Sequence, residues 1–312
     1  MALTVVGSIA FDSVRTPFGE RDRMLGGSAV HFSLAASFFT EVRVVGPVGD
    51  DFGADELGVL ETRGVITDDI ERVAGGETFF WRGHYDFDLN VAHTDDTQLN
   101  VFADFDPKLS GEARRAQILF LGNIQPALQQ RVRGRCREAE FTALDSMNLW
   151  IETERESLVA AIGDVDCVLL NDAEIRELTE QPNLARAARA LMAMGPRVVV
   201  AKRGEYGAAL FSGDEFFAIP GYLLEDVRDP TGAGDSFAGG FLGYLDGRRG
   251  AGDNVFDHTV LRQAMAYGSV LASFNVEDFG TERVRSLTRE QIEERLRDFR
   301  RITHFEVEPI TM

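Results

Sequence analysis

DPTGAGDSF, residues 229–237, is the stretch whose reading decides the fold. Carboxylates stand at its first and seventh positions, Asp229 and Asp235, with Gly232, Ala233 and Gly234 before the second. Three readings compete: a plain turn that launches a helix, a dinucleotide loop, or a phosphate cradle that carries its own base. The residues that follow, DSFAGGFLGYLDG, predict a helix opening at Asp235 or Ser236. A Gly-x-Gly turn leading into a helix aims several backbone N–H groups at one point, and the helix dipole adds positive potential there.

Two named phosphate motifs can be tested directly. A dinucleotide fingerprint begun at Gly232 needs glycine at its sixth position, where Phe237 stands. A P-loop needs Gly-Lys-Ser/Thr, but the chain has two lysines, Lys108 and Lys202, which follow Pro107 and Ala201. What remains is an anion cradle of another kind, ending in an aspartate. That acid would repel phosphates unless it had a task. Phosphoryl transfer supplies one: the carboxylate accepts the proton of an attacking hydroxyl while N–H groups hold the charge on the transferring group. The alternative is an aspartate that merely caps a helix on a glycine turn.

The rest of the chain bounds these readings. Its 312 residues, 44% hydrophobic with 23 Phe, suffice for a sizeable core. A net charge of -19 argues against a nucleic-acid binder, which needs basic surface. No apolar run is long enough to span a bilayer, and MALTVVGSIAFDS lacks the pattern of a signal peptide. Cys136 and Cys167, with no CxxC pattern, suit a reducing cytosol and suggest no metal site. The expected location is cytoplasmic.

Short apolar runs alternate with helical segments. Strands are expected at TVVGSIA, VRVVGPVG, QILFLGN, TALDS, DCVLLN and RVVVAK, with helices at SAVHFSLAASFF, ALQQRVRGRCREA and NLARAARALMAMG among others. This rhythm predicts an α/β fold: a doubly wound, mostly parallel sheet flanked by helices. Residues 75–105 break it with β-type alternation and many aromatics. With residues 11–24 they are expected to form a small β-sheet lid on a single domain of residues 1–312.

At this point the chain resembles a known family. DPTGAGDSFAGGF looks like the C-terminal signature of the ribokinase-like (PfkB-type) sugar and nucleoside kinases. GSIAFD resembles the first strand of that family, LGGSAVHFSLAAS its di-glycine motif, VVGPVGDDFG its next strand and turn, and NDAE its N-x-x-E motif. The resemblance implies an ATP-dependent kinase that transfers the γ-phosphoryl group to a hydroxyl of a sugar or related polyhydroxylated substrate. Asp235 would be the base, and the N–H groups of Gly232, Ala233 and Gly234 the anion hole. Asp12, Gly26 and Gly27 would line the substrate site. Asn171 and Glu174 would organise Mg²⁺, mostly through water. Asp229 and Thr231 match positions that hold a monovalent cation such as K⁺ in some members.

Two departures concern specificity. Sugar-using members commonly carry Asn where this chain has His31, so a nucleoside or a cyclitol is an alternative substrate. Where the family often has Thr-x-Gly, this chain has Lys202-Arg203-Gly204, and Lys202 is expected either to reach a nucleotide phosphate or to form a surface ion pair. Asn123 and Asp145, at other strand ends, are further substrate-pocket candidates, as are Arg82, His84, Asp88 and Asn90 on the lid. The adenine is expected against AMAYGSVLASFN and the loop before Gly280. The lid aromatics also suit a homodimer joined through the lids. A non-catalytic nucleotide- or sugar-binding regulator is the alternative of a different class.

Overall fold

The computed structural model describes residues 2–306. Among these residues thirteen strands make two sheets. In chain order they are β1 (Leu3–Val6), β2 (Ala10–Thr16), β3 (Gly19–Gly26), β4 (Val42–Val48), β5 (Ile66–Arg72), β6 (Phe79–Tyr85), β7 (Ala92–Gln98), β8 (Ile118–Leu121), β9 (Phe141–Leu144), β10 (Cys167–Asn171), β11 (Val198–Lys202), β12 (Ala208–Ser212) and β13 (Glu215–Ile219). The large sheet runs β13-β12-β11-β10-β9-β8-β1-β4-β5. From β5 to β11 every neighbouring pair is parallel, and β12 and β13 add an antiparallel edge.

The near-continuous apolar strands follow from helices on both faces. Successive side chains of a strand point to opposite sides. Thus Val5, Val44, Phe120, Leu169 and Val200 pack on one side with the helices Ser28–Ala36, Ala233–Gly250 and His258–Asn275. Val6, Val45, Leu121, Leu170 and Val199 pack on the other with the helices Pro126–Arg135, Arg155–Gly163, Asp172–Thr179 and Leu184–Met192. Burying each such side chain contributes roughly 1.5–3 kcal/mol, so two-sided burial is what holds these short strands in the sheet. Cys136 and Cys167 are both buried free thiols in this core. Among the described residues no helix is long and apolar enough to cross a membrane.

The smaller sheet has the order β3-β2-β6-β7. TVVGSIA does not continue as one strand. β1 ends at Val6, and β2 begins at Ala10 in the other sheet. The chain crosses between sheets at Gly7-Ser8-Ile9, where the Ser8 N–H donates to Ser28 Oγ at 3.2 Å. β2 pairs antiparallel with β3 and parallel with β6, and β6 pairs antiparallel with β7. The helix after the glycine turn begins at Ala233, two residues before the position its sequence suggests, so Asp235 lies within the first turn.

Candidate active site

Four segments meet around the opening stretch: the glycine turn, the ends of β9, β10 and β11, the inner face of the small sheet, and the C-terminal end of the helix His258–Asn275. Gly232 stands at the N-cap of the helix Ala233–Gly250 with φ 74°, a left-handed conformation that favours glycine. A Cβ there would also lie 2.4 Å from the His31 ring. Both the turn and the packing beneath it therefore exclude a side chain. The N–H groups of the first helical turn have no intrahelical acceptor, and Asp235 is the acid in that turn.

Asp235 is half-buried, and its carboxyl is pushed up to about 7. Loss of water is the main cause; the Asp145 charge adds to it and the Lys202 ammonium opposes it. Asp12, on β2, is likewise pushed up to about 7, by burial first and by the charges of Asp229 and Asp235. Its Oδ2 accepts from the Gly27 N–H at 3.4 Å. A Cβ on Gly26 would lie 1.9 Å from that same oxygen, so the di-glycine makes room for the carboxylate.

Lys202 closes β11 and its Nζ donates to Asp145 Oδ2 at 2.5 Å. The other Asp145 oxygen accepts from the Ser146 N–H at 2.8 Å. Burial works against the Lys202 charge, but Asp145 and Glu174 overcome it and raise its pKa. The ammonium also lies 3.1 Å from where a Gly234 Cβ would be, beside the glycine turn. Asn171 and Glu174 form a capping box: Asn171 Oδ1 accepts from the Glu174 N–H at 2.8 Å, and Glu174 Oε2 from the Asn171 N–H at 2.8 Å. Burial pushes the Glu174 carboxyl up to about 7, with Lys202 opposing.

The residues expected to hold a monovalent cation are bonded internally. Asp229 is fully buried; its Oδ1 accepts from the Thr231 N–H at 2.9 Å and its Oδ2 from the Gly280 N–H at 3.0 Å. The Thr231 carbonyl accepts from Asn275 Nδ2 at 2.7 Å. His31 is buried beneath the turn with Nδ1 3.0 Å from Asn275 Oδ1, which also accepts from Ser236 Oγ at 2.9 Å. This network makes Nδ1 the protonated nitrogen of His31, and burial lowers its pKa to about 4. Its Nε2 has no hydrogen-bond partner among the described residues.

Other candidates are placed further out. Asn123 Oδ1 accepts from Trp150 Nε1 at 2.9 Å. Gly204, at φ 55°, lies beyond the end of β11, where the lid residue Asn90 approaches it and its neighbour Glu205. Arg82 and His84 leave β6 on the side opposite Tyr85; Arg82 meets Asp22, and His84 Nδ1 lies 2.8 Å from Asp95 Oδ1. The inward residue is Tyr85, whose hydroxyl meets Thr231 Oγ1 at 3.2 Å. Burial raises its pKa, as do the charges of Asp229, Asp12 and Asp235. Sequence reasoning missed Tyr85 and Asn275. The alternation WRGHY marked two faces of β6, but the more polar face turned out to be the outer one.

This geometry has relatives. The sequence profile of the family described as pfkB family carbohydrate kinase matches residues 20–287. A cytidine kinase of Thermococcus kodakarensis is 30% identical over 255 residues, 79% of this chain and 89% of its own. A nucleoside kinase of Methanothermobacter thermautotrophicus is 28% identical over 301 residues, 90% of this chain and 91% of its own. The structure of a Burkholderia thailandensis nucleoside kinase in complex with inosine superposes with a TM-score of 0.79 at 20% identity, covering 97% of this chain and 98% of that one. With an acid in the first turn of a glycine-led helix and a match across most of its length, the chain belongs to the pfkB family of carbohydrate kinases, phosphotransferases that pass the γ-phosphoryl group of ATP to an alcohol group.

Proposed function

We propose that this chain phosphorylates a hydroxyl of a nucleoside, with Asp235 as the base. One observation carries the assignment of the base. Asp235 stands in the first turn of the glycine-led helix, and its charge is close enough to Asp12 to help raise the Asp12 carboxyl. A polyol held by Asp12 would thus present a hydroxyl toward Asp235. The nucleoside class is supported by the relatives named as cytidine and nucleoside kinases. It is supported too by His31, which is withdrawn under the turn and offers no asparagine-like contact to a sugar ring.

In the reaction, Asp235 aligns the hydroxyl and accepts its proton as the oxygen attacks the γ-phosphorus, and the bond from that phosphorus to the β–γ bridging oxygen breaks to release ADP. The N–H groups of Gly232, Ala233 and Gly234 hold the charge that gathers on the transferring phosphoryl. Lys202 stands beside Gly234 and adds a full positive charge to them. The small sheet, built from residues about 11–24 and 75–105 of one domain, acts as the lid, and Tyr85 joins it to the turn. Closure excludes water, a competing acceptor.

Glu174 suits a water-mediated Mg²⁺. Its carboxyl is buried, its high pKa would fall beside a cation, and its hydrogen bond to Asn171 occupies one oxygen and leaves the other free. Among the described residues no three acidic, histidine or cysteine side chains cluster to hold an ion directly, which fits an ion carried largely on nucleotide and water. Bound beside Glu174, Mg²⁺ would neutralise negative charge on the nucleotide phosphates. A monovalent cation would have to share Asp229 and Thr231 with the bonds those residues already make, and no step passes through it here.

The test is ATP consumption across nucleosides, free sugars and inositols. Turnover with nucleosides is expected. Turnover with a sugar or an inositol and with no nucleoside overturns the substrate reading.

A further inference from the structure

The inner face of the small sheet carries an aromatic ring that the reaction above leaves unused. Trp81 on β6 pairs with Asp12 on β2, so both side chains leave the sheet on the same side. Two residues on, Gly83 is buried, and a Cβ built there would lie 2.3 Å from Cζ2 and 2.4 Å from Cη2 of Trp81. The indole therefore lies along the strand, in the space any other residue at position 83 would fill. Its Nε1–H donates to Thr94 Oγ1 at 3.2 Å, which fixes the ring edge. Trp81 nevertheless keeps part of its surface exposed. At the next inward position Tyr85 meets Thr231 of the catalytic turn. The indole thus lies along β6 between the register of Asp12 and that of Tyr85.

We propose that the indole of Trp81, partly exposed on the Asp12 side of the sheet, is the platform on which the substrate's base stacks while Asp12 holds the ribose hydroxyls. The proposal rests on the nucleoside reading and adds what selects the base. A ring already fixed by Gly83 and Thr94 loses little freedom on binding. Every nucleobase has a π-face, so such a platform accepts purines and pyrimidines alike. The charged side chains of β6, Arg82 and His84, leave on the outer face and so supply no hydrogen bonds to a base edge.

The test compares Trp81→Ala, Trp81→Phe and Gly83→Ala with the parent enzyme, each checked for an unchanged circular dichroism spectrum. Trp81→Ala is expected to raise KM for nucleosides about 10- to 100-fold, the range for loss of one base–aromatic stack, with KM for ATP unmoved. Trp81→Phe should recover most of that loss. Gly83→Ala keeps the indole but displaces it, and should raise KM in the same direction. The chain has two tryptophans, so in a Trp150→Phe background nucleosides should quench the remaining fluorescence and free ribose should not. Unchanged nucleoside KM in both Trp81→Ala and Gly83→Ala overturns the platform and leaves the nucleoside reading standing. Turnover of a sugar with no nucleoside overturns that reading, and the platform with it.

Discussion

Lys202 Nζ lies 2.5 Å from Asp145 Oδ2, although β10 runs between the strands that carry them. The lysine reaches over the end of β10, where Asn171 is its register partner. One buried ion pair thereby ties three adjacent strand ends together under the catalytic turn. Removing one partner of such a pair leaves an uncompensated buried charge, at about 3–5 kcal/mol.

The pair also sets the state of the base. Lys202 favours the ionised form of Asp235 and Asp145 opposes it. Lys202→Met should therefore move the acid limb of the kcat/KM profile to higher pH and weaken ATP binding. Asp145→Asn should move that limb to lower pH. The measurement is kcat/KM across pH for both variants; because Asp12 and Asp235 both lie near 7, the inflection belongs to the coupled groups rather than to one residue. Profiles that coincide with the parent's would remove Lys202 from any electrostatic role at the base.

Asp235→Asn separates catalysis from stability. Turnover should fall about 10²- to 10⁴-fold, the usual share of a general base. Stability should move the other way. The Asp235 carboxyl has a folded value of about 7, against roughly 3.9 for a free aspartate. Its contribution to the fold is thus fully present below the free value and is lost as pH rises through about 7. The asparagine variant should melt above the parent at pH 8 and show no such advantage at pH 4. A lower Tm for the variant at pH 8 would mean that the buried charge is stabilised by contacts the parent makes elsewhere.

How much of this was legible in the sequence depends on how local each cause is. The glycine turn could be read because its residues are contiguous and the helix after it announces itself. The strands β8, β10 and β11 could be read because burial on both faces makes them continuously apolar. The register of the small sheet could not. WRGHYDFDLN alternates on both faces, and nothing within it says that Trp81 and Tyr85 turn inward while Arg82 and His84 turn out. That choice is made by Asp12, some seventy residues earlier, through the pairing of β2 with β6. Asn275 was hidden for the same reason. Its three hydrogen bonds go to His31, Ser236 and Thr231, and no spacing in the sequence links those positions. NDAE shows the converse case, where one local pattern carries two meanings: Asn171 and Glu174 make an ordinary capping box and also stand beside Lys202.

Asp229 and Thr231 are already engaged in protein hydrogen bonds, and this bears on K⁺. Asp229 holds the Thr231 and Gly280 N–H groups, and the Thr231 carbonyl and hydroxyl meet Asn275 and Tyr85. A cation that rigidifies such a turn has little left to do. Turnover in KCl should equal turnover in tetramethylammonium chloride at the same ionic strength. Strong activation by K⁺ would show that these bonds rearrange to admit the ion.

Asn275 is the residue through which the helix beneath the turn is coupled to it. Its Oδ1 takes the His31 Nδ1–H and the Ser236 Oγ–H, and its Nδ2 supports the Thr231 carbonyl. Truncation to alanine leaves buried polar groups unpaired and should destabilise the protein by about 2–4 kcal/mol. Because the turn rather than the nucleotide pocket loses its support, kcat should fall more than KM for ATP rises. Asn275→Asp makes the sharper test. Both acceptor roles survive, but the donor to Thr231 is lost and a carboxylate arrives beside a histidine that burial has lowered to about 4. A neighbouring negative charge favours imidazolium, so His31 should titrate at higher pH in this variant. Its imidazole proton resonance, followed by NMR from pH 4 to 8, reports that shift directly. Stability conferred by the new ion pair should then be present where the new carboxylate is ionised and His31 is protonated, and disappear as pH rises through the raised value. A His31 resonance that titrates alike in the parent and the aspartate variant would mean that His31 and Asn275 are not bonded in solution, and that the turn is held up by something else.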